Sequence, residues 1–273
     1  MMQAFERFQT IFRVRRPVVA MVHLRALPGT PLFDAAGGMD AVVEAARADL
    51  RALQQAGVDA VMFGNENDRP YELEVDPASA AAMAYVVGRL KDELRLPFGV
   101  DVLWDPKMTL AVAAATGAAF AREIFTGLYG SDMGLWSGRA AEARRYQRRL
   151  ARDDLFLLYN VSAEFAAPLD ARSLPERARS AVFSSLADAV LVSGPMTGEP
   201  APLEHLAAVK RAVQDVPVLA NTGVDHANVA EVLRIADGCI VGTALKEDGK
   251  TFNPVDPERA RAFMERAREA RGE

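Results

Sequence analysis

Three acidic side chains lie within or just after short apolar runs. Asp101 interrupts the run Phe98–Leu103, while Glu66 and Asp68 follow the run Val58–Phe63. A buried carboxylate is costly unless it is paired or used, so these positions indicate chemistry. Two carboxylates facing one substrate can act as general acid and base, or can hold a divalent cation through oxygen. We predict all three as catalytic residues and as candidate ligands for Mg²⁺ or Mn²⁺. For Glu66 and Asp68 the alternative is a turn that satisfies local backbone.

Two basic side chains occupy comparable positions. Arg122 interrupts the apolar run Ala119–Ile124, and His23 ends the run Val18–His23. A guanidinium can clamp an anionic substrate, although an ion pair within the protein would also explain Arg122. His23 alone among three histidines ends an apolar run, but a structural histidine is equally compatible with that position. We predict that Arg122 and His23 orient the reacting end of a substrate.

Residues 217–249 predict a strand, a glycine turn, a helix, a second strand and a second glycine turn. Parallel strands that end in glycine expose backbone N–H groups at one rim, where an anion can approach closely. In a (β/α)8 barrel the loops after the last two strands are the usual phosphate site. Tight turns alone are the alternative explanation of these glycines. The predicted phosphate-binding residues are Asn160, Gly198, Thr222, Gly223, Gly242 and Thr243.

Strands and helices alternate along the rest of the chain. The predicted strands are Val18–His23, Val58–Phe63, Phe98–Leu103, Ala119–Ile124, Leu155–Asn160, Ala187–Val192, Pro217–Asn221 and Cys239–Val241. The predicted helices between and after them are Met39–Ala56, Ala78–Leu94, Lys107–Thr116, Arg139–Arg152, Leu174–Ser185, Leu203–Val213, Ala227–Ile235 and Pro257–Arg271. Continuous apolar strands of this kind are typical of a parallel sheet that is buried on both faces. Residues 125–137 and 24–38 are predicted as long loops.

This pattern predicts a single (β/α)8 TIM barrel that fills residues 1–273. Residues 1–16 are expected to form a short leading helix that covers the bottom of the barrel. The alternative is a doubly wound open sheet, but no GxGxxG motif follows the first strand, and no nucleotide cofactor motif is recognised.

No lysine lies inside a predicted strand, which weakens a Schiff-base mechanism; Lys107 and Lys246 lie just beyond strands.

Composition excludes several classes of protein. The chain of 273 residues is 50% hydrophobic and 25% charged, with a formal net charge of −5. Such a balance lacks the concentrated basic face of a nucleic-acid-binding protein. The single Cys239 cannot form a disulfide within the chain, which suits a reducing compartment. No membrane span or signal peptide is recognised, so we expect a cytoplasmic protein.

Seven segments together resemble the BtpA/SgcQ family. They are MVHLRALPGTP at 21–31, GVDAVMFGNENDRPY at 57–71, GVDVLWDP at 99–106, GSDMGLWSG at 130–138, ADAVLVSGPMTG at 187–198, NTGV at 221–224 and ADGCIVGTALKEDGKTFNPVD at 236–256. The resemblance implies a TIM barrel similar to phosphate-binding barrels, and it covers nearly the whole chain. Members are linked to photosystem I biogenesis or sit among proteins of carbohydrate metabolism. The chain departs from the family pattern after three strands. After the second, Asn67 replaces a glycine; after the third, Asp101 and Trp104-Asp105-Pro106 replace an asparagine and an Arg-Asn-Asp pattern; after the fourth, Arg122-Glu123 replaces an Arg-Val-Asn type pattern. These departures suggest a subgroup with its own substrate.

Two functions of different classes follow. The first is an enzyme of carbohydrate metabolism that acts on a phosphorylated sugar or similar metabolite by isomerisation, epimerisation or aldol-type cleavage. The second is a non-catalytic assembly or regulatory factor, for which we expect an exposed apolar patch from Trp104, Tyr129, Leu135 and Trp136. Hydrolysis of a nucleotide or glycoside by two carboxylates is a further alternative. The partner is expected to be a small phosphorylated molecule, and a homo-oligomer is compatible with the fold.

Overall fold

A computed structural model describes residues 4–273 and contains a closed parallel barrel. In chain order the strands are β1 (Val18–His23), β2 (Ala60–Gly64), β3 (Phe98–Asp101), β4 (Phe120–Glu123), β5 (Leu128–Ser131), β6 (Gly134–Ser137), β7 (Phe156–Asn160), β8 (Ala166–Pro168), β9 (Ala189–Ser193), β10 (Val218–Asn221) and β11 (Cys239–Val241). The order around the barrel is β1, β11, β10, β9, β7, β4, β3, β2. Every neighbouring pair is parallel. The predicted (β/α)8 barrel is therefore confirmed.

Helices connect the strands of the barrel. They are α1 (Ala4–Phe12), α2 (Gly38–Ala56), α3 (Pro77–Leu90), α4 (Pro106–Thr116), α5 (Ala140–Arg149), α6 (Leu174–Ser185), α7 (Leu203–Ala212), α8 (Val229–Ile235) and α9 (Pro257–Arg271). Proline at the first position and a capping aspartate define the starts of α4 and α9, where Asp105 and Asp256 accept backbone hydrogen bonds. Within residues 4–273, no helix is both long enough and apolar enough to cross a bilayer.

The inside of the barrel has an apolar layer below a polar layer. Side chains of a strand alternate between the interior and the exterior, so residues two apart face the same way. The lower layer is part of a buried apolar cluster: Val19, Met21, Ala60, Met62, Phe120, Phe156, Leu158, Ala189, Leu191, Leu219 and Ile240. The next inward position at the carboxyl end of each strand is held by His23, Gly64, Asp101, Arg122, Asn160, Ser193, Asn221 and Gly242. The strand period thus gathers one residue from each of the eight strands into one polar ring.

Helix α1 packs against the opposite end of the barrel. The rings of Phe12 and Phe120 are 5.1 Å apart between centroids, and those of Phe8 and Phe156 are 6.0 Å apart. Phe120 and Phe156 are the first residues of β4 and β7, so these contacts lie at the amino ends of the strands. The predicted helix over residues 1–16 is shorter in the structure, and residues 1–3 lie outside the described part of the chain.

Substitution of Phe12 by leucine should destabilise the protein measurably. Phe12 is 2% exposed, and the smaller side chain leaves a gap against Phe120. We expect a loss of about 1–2 kcal/mol in the free energy of unfolding, measured by urea denaturation. Phe183 is 89% exposed, so Phe183→Leu is a matched control with an expected change below about 0.5 kcal/mol. Equal effects of the two substitutions would contradict the packing of α1 on the barrel.

A three-stranded antiparallel sheet, in the order β6, β5, β8, stands beyond the barrel strands. The prediction of an unstructured loop over residues 125–137 is therefore wrong, because β5 and β6 form a hairpin there. The hairpin carries Tyr129 and Trp136 into a buried cluster with Trp104, and the two tryptophan rings meet edge to face at 6.2 Å. The predicted exposed apolar patch is also wrong for these three side chains; only Leu135, at 72%, is well exposed.

Candidate functional site

A cavity of about 270 Å³ opens at the carboxyl ends of the barrel strands. Ten of the predicted site residues line it: His23, Glu66, Asp101, Arg122, Asn160, Gly198, Thr222, Gly223, Gly242 and Thr243. Asp68 is the one predicted site residue that does not. The topology of the barrel explains the convergence, because parallel strands bring all of their carboxyl ends to the same rim.

Glu66 and His23 form a buried pair on one side of the cavity. His23 Nε2 lies 3.4 Å from Glu66 Oε1, and His23 Nδ1 lies 3.3 Å from the carbonyl oxygen of Thr251. Because a carbonyl only accepts, we assign the ring proton to Nδ1 and a lone pair to Nε2. Burial, followed by the charge of Lys246, lowers the pKa of His23 to about 3, so the ring is neutral. Burial, followed by the charge of Asp101, raises the pKa of Glu66 to about 8. Protonated Glu66 can therefore donate a hydrogen bond to Nε2.

Two glycines leave room for this pair. A Cβ atom at Gly64 would lie 2.7 Å from both carboxyl oxygens of Glu66, and one at Gly242 would lie 2.7 Å from Cε1 of His23. Gly64 holds the inward position of β2, so the carboxyl of Glu66 takes the space that a side chain would fill. Gly242 does the same for the imidazole. Gly242, which follows the last strand, thus leaves room for the side chain of His23 in the polar ring of the cavity.

Arg122 and Asp101 form a second buried pair. Arg122 Nη2 lies 2.6 Å from Asp101 Oδ2, and Nη1 donates to Asn221 Oδ1 at 3.1 Å. Burial raises the pKa of Asp101 to about 6, and the charge of Arg122, which opposes the rise, keeps it below neutral pH. Burial, and then the charge of Asp101, raises the pKa of Glu123 well above its usual value. We therefore assign the ionised state to Asp101 and the proton to Glu123.

A hydrogen-bond network joins the ends of three further strands. Asn160 Nδ2 and Asn221 Nδ2 both donate to Ser193 Oγ, at 3.2 and 2.8 Å. Glu164 accepts from Asn221 Nδ2 at 3.1 Å and from the hydroxyl of Thr222. These contacts fix the orientation of the two amide groups. The amide oxygen of Asn160, Oδ1, has no hydrogen-bond partner among residues 4–273.

The loops after β9 and β11 meet at the rim of the cavity, where Thr243 Oγ1 lies 2.8 Å from the hydroxyl of Thr251, the residue whose carbonyl faces His23. A Cβ atom at Gly198 would lie 3.7 Å from Thr243 Cγ2, and Gly223 packs directly against the backbone of Pro200. A 3₁₀ turn begins at Thr243, and the first N–H groups of such a turn have no acceptor within it. Gly223 therefore allows close packing of two loops and also lines the cavity. The glycine pattern in the sequence could not distinguish loop packing from anion binding.

Among the lining residues that were not predicted as site residues are two charged side chains, Glu164 and Arg259. Glu164 lies in the loop between β7 and β8, and Arg259 lies in the first turn of α9. Arg259 Nε donates to the carbonyl of Ala244 at 3.1 Å, and no carboxylate among the described residues forms an ion pair with this guanidinium. Neither residue follows an apolar strand directly, so no periodic signal marks them.

Asp68 has a local structural role. Its Oδ1 accepts from the backbone N–H of Leu27 at 2.8 Å, and its Oδ2 accepts from Asn65 Nδ2 at 3.0 Å. Asn65 Oδ1 in turn accepts from the backbone of Leu103 at 2.8 Å. Asp68 thus ties together the loops after β1, β2 and β3 through a backbone group distant in sequence rather than through a local turn, and we leave it out of the proposed site.

The metal site predicted at Glu66, Asp68 and Asp101 stays a prediction, and the three carboxyl groups do not form one cluster in the described residues. Across residues 4–273, no group of three or more histidine, cysteine, aspartate or glutamate side chains is placed to hold a metal ion. The physical reason is that Asp68 is engaged by Leu27 and Asn65, whereas Asp101 faces Arg122.

No lysine is among the residues that line the cavity. Lys246 is 1% exposed, and its Nζ lies 2.5 Å from Asp49 Oδ2. The other oxygen of this carboxylate, Asp49 Oδ1, accepts a hydrogen bond from the backbone N–H of Val255. Lys107 is exposed on the first turn of α4. A Schiff base in the cavity therefore has no amine in the described part of the chain.

The Glu66–His23 pair predicts how stability depends on pH. The folded-state pKa of Glu66 is raised from 4.5 to about 8, so its contribution to stability falls as pH rises through that range. The folded-state pKa of His23 is lowered from 6.5 to about 3, so its contribution falls as pH decreases through that range. Urea denaturation at several pH values should show both declines. Glu66→Gln should weaken the alkaline decline and retain the acidic one; an unchanged alkaline decline would contradict the assigned protonation of Glu66.

Solved structures that resemble this barrel include metabolic enzymes. Phosphoribosylanthranilate isomerase from Thermotoga maritima has a TM-score of 0.57 at 11% identity and covers 93% of this chain and 99% of its own. N-acetylmannosamine-6-phosphate 2-epimerase from Clostridium perfringens has a TM-score of 0.54 at 14% identity and covers 85% of this chain and 88% of its own. At these identities the likeness shows the fold alone.

Sequence relatives cover almost the whole chain. The sgc region protein SgcQ of Escherichia coli (strain K12) is 47% identical over 261 residues, which are 96% of this chain and 97% of SgcQ. The photosystem I biogenesis protein BtpA of Synechocystis sp. is 36% identical over 267 residues, which are 97% of this chain and 91% of BtpA. A model of the BtpA family matches residues 14–269. The resemblance of the seven motifs is thereby confirmed, and the chain belongs to the BtpA family.

Proposed function

We propose that this protein is an enzyme that isomerises or epimerises a small phosphorylated metabolite, with a phosphorylated sugar as the first candidate. One observation carries the proposal: the carboxyl groups of Glu66 and Asp101 line the same cavity, with His23 Nε2 3.4 Å from Glu66 and Arg122 Nη2 2.6 Å from Asp101. These neighbours, with the raised pKa of Glu66, favour a protonated Glu66 and an ionised Asp101. Two carboxyl groups in opposite protonation states are what proton transfer next to a carbonyl requires.

The proposed reaction moves one proton in each direction. Asp101 removes the proton from the carbon beside the substrate carbonyl, while Glu66 donates its proton to the carbonyl oxygen, which gives an enediol. In isomerisation, Asp101 gives its proton to the neighbouring carbon while the ionised Glu66 removes the hydroxyl proton of the enediol at the other carbon. In epimerisation, a proton from solvent reaches the opposite face of the same carbon while Glu66 takes back the hydroxyl proton, and Asp101 releases its proton to solvent. Once Asp101 has taken up the proton, the charge of Arg122 is no longer balanced and can stabilise negative charge that develops on the substrate oxygens. Neutral His23 accepts the hydrogen bond of Glu66 and holds its carboxyl in place.

We place the phosphate at the rim formed by the loops after β9, β10 and β11. Gly198, Thr222 and Thr243 line that rim together with Arg259, whose guanidinium has no carboxylate partner in residues 4–273. An unpaired arginine and the free N–H groups of a turn are both suited to a phosphate. The loops after the last strands are also where barrels of this class hold phosphate. The isomerase and epimerase among the structural neighbours act on phosphorylated compounds by their names, which supports the proposal at the level of the fold.

Aldol cleavage through a Schiff base has less support, because Lys246 is held by Asp49 and no lysine lines the cavity. A non-catalytic assembly role has less support as well, since Trp104, Tyr129 and Trp136 are buried and do not form an exposed docking patch.

Solvent exchange tests the proposal directly. The protein is incubated in D₂O with a panel of pentose and hexose phosphates, and deuterium incorporation is followed by proton NMR. We expect exchange at a carbon next to the carbonyl of at least one sugar phosphate. Arg259→Gln should weaken binding of that compound, whereas Arg261→Gln, an exposed position on the same helix, should not. Failure of every sugar phosphate to bind or to exchange would refute the proposal.

A further inference from the structure

Among the described residues, the polar ring of the cavity contains no cation without a counter-charge. Besides neutral His23, the basic residues that line the cavity are Arg122 and Arg259, within the described part of the chain. Arg259 is on the phosphate side. Arg122 lies in the ring, where its Nη2 faces Asp101 at 2.6 Å and its Nη1 donates to Asn221, while its Nε has no hydrogen-bond partner among residues 4–273. The charge of Arg122 is therefore balanced by the charge of Asp101.

The same ring offers a buried acceptor without a partner. Asn160 Oδ1 accepts no hydrogen bond from residues 4–273, whereas Asp101 is a hydrogen-bond partner of Glu123, to which we assign the proton. Asn160 is 3% exposed and Asp101 is fully buried, and both line the cavity. Buried acceptors are satisfied in functional states, and for Asn160 Oδ1 the cavity is the remaining source of a donor. A hydroxyl group can donate to this oxygen, whereas a carboxylate has no hydrogen to donate.

We propose that the end of the substrate remote from the phosphate is uncharged and carries hydroxyl donors, so that the cavity selects neutral sugar phosphates and rejects phosphorylated sugar acids. This inference rests on the proposed function, since it takes the phosphate to lie beside Arg259. Asn160 acts as a positioning residue that accepts a hydrogen bond from one substrate hydroxyl. Asp101 and its ion pair with Arg122 exclude a carboxylate, because a second negative charge beside Asp101 is repelled and cannot recruit the guanidinium.

Matched pairs of ligands test this selectivity. Each pair contains an aldose phosphate and the aldonic acid phosphate with the same carbon skeleton, for example glucose 6-phosphate and 6-phosphogluconate. Dissociation constants are measured by calorimetry at pH 7.5. The sugar that binds best should bind about tenfold or more tightly than its acid. An acid that binds as tightly as its sugar would overturn the inference while leaving phosphate binding intact. If neither member of any pair binds, the proposed function fails with it.

A double variant should relax the selectivity. Asp101→Asn removes the counter-charge of Arg122, and Glu123→Gln prevents Glu123 from ionising in its place. In the double variant the ratio of the two dissociation constants should shift about tenfold or more toward the acid. Glu123→Gln alone keeps the Arg122–Asp101 pair and is the matched control. A ratio that stays at the wild-type value in the double variant would contradict the role of Asp101.

Asn160→Leu provides a second test that does not depend on the charged pair. It should weaken binding of the preferred sugar phosphate about tenfold and leave binding of inorganic phosphate unchanged. A purely structural role of Asn160 would weaken both ligands alike. Equal weakening of both ligands, or no weakening of the sugar phosphate, would overturn the assignment of Asn160.

Discussion

Replacement of Arg122 by methionine will lower the free energy of unfolding by about 3–5 kcal/mol at pH 7.5. Asp101 is fully buried, and the guanidinium of Arg122, 2.6 Å away, is its charge partner. Without that guanidinium the carboxylate must remain as an unpaired buried charge or take up a proton. Its pKa will rise further, so the loss of stability should be smaller at pH 5 than at pH 7.5. Urea denaturation at both pH values measures this effect.

Two variants control the experiment with Arg122. Arg261→Met changes an exposed arginine in the same way and should alter stability by less than about 0.5 kcal/mol. The double variant Asp101→Leu/Arg122→Met removes both charges and should recover most of the loss, because apolar packing can replace a buried ion pair. Removal of one partner of a buried ion pair costs several kcal/mol. A change of less than about 1 kcal/mol for Arg122→Met alone would therefore contradict the pairing with Asp101.

Replacement of Glu66 by glutamine will slow solvent exchange by about 10²–10⁴-fold with whichever sugar phosphate the wild-type protein exchanges. Glutamine keeps the size of the side chain and can still donate a hydrogen bond to His23 Nε2, but it cannot give up a proton. Binding of the sugar phosphate should therefore change only a few-fold. The rate of deuterium incorporation and the dissociation constant are measured on the same sample.

A control for Glu66→Gln is available nearby. Glu72 is an exposed glutamate in the same loop, and Glu72→Gln should leave both exchange and binding unchanged. Wild-type exchange by the Glu66 variant would remove this residue from proton transfer. A loss of binding that matches the loss of exchange would instead assign Glu66 to substrate recognition.

The barrel and most of its polar ring were predictable because both follow from local patterns. Continuous apolar strands that alternate with helices define the (β/α)8 fold, and a polar residue that interrupts or ends such a strand lies at the mouth. Asp101, Arg122 and Asn160 were found by this reasoning. The glycine turns after β10 and β11 likewise placed Gly223 and Gly242 in the cavity lining.

What the sequence did not predict depends on contacts between distant segments. Asp68 and Glu66 are two residues apart in one loop, yet Asp68 binds the backbone of Leu27 whereas Glu66 reaches into the cavity through the space at Gly64. Arg259 reaches the cavity from the last helix. The β5–β6 hairpin has four-residue strands interrupted by glycines, so its pairing is set by the cluster beneath it rather than by propensity.

The central claim is that Glu66 carries a proton at neutral pH in a buried pair with His23. Carbon-13 NMR of protein labelled at glutamate side-chain carboxyls measures it, with the Glu66→Gln variant to assign the resonance. We predict a titration midpoint of about 8 for Glu66. A midpoint near the ordinary glutamate value of about 4.3 would contradict the account, because Glu66 would then be an ionised carboxylate that cannot donate a proton to a substrate.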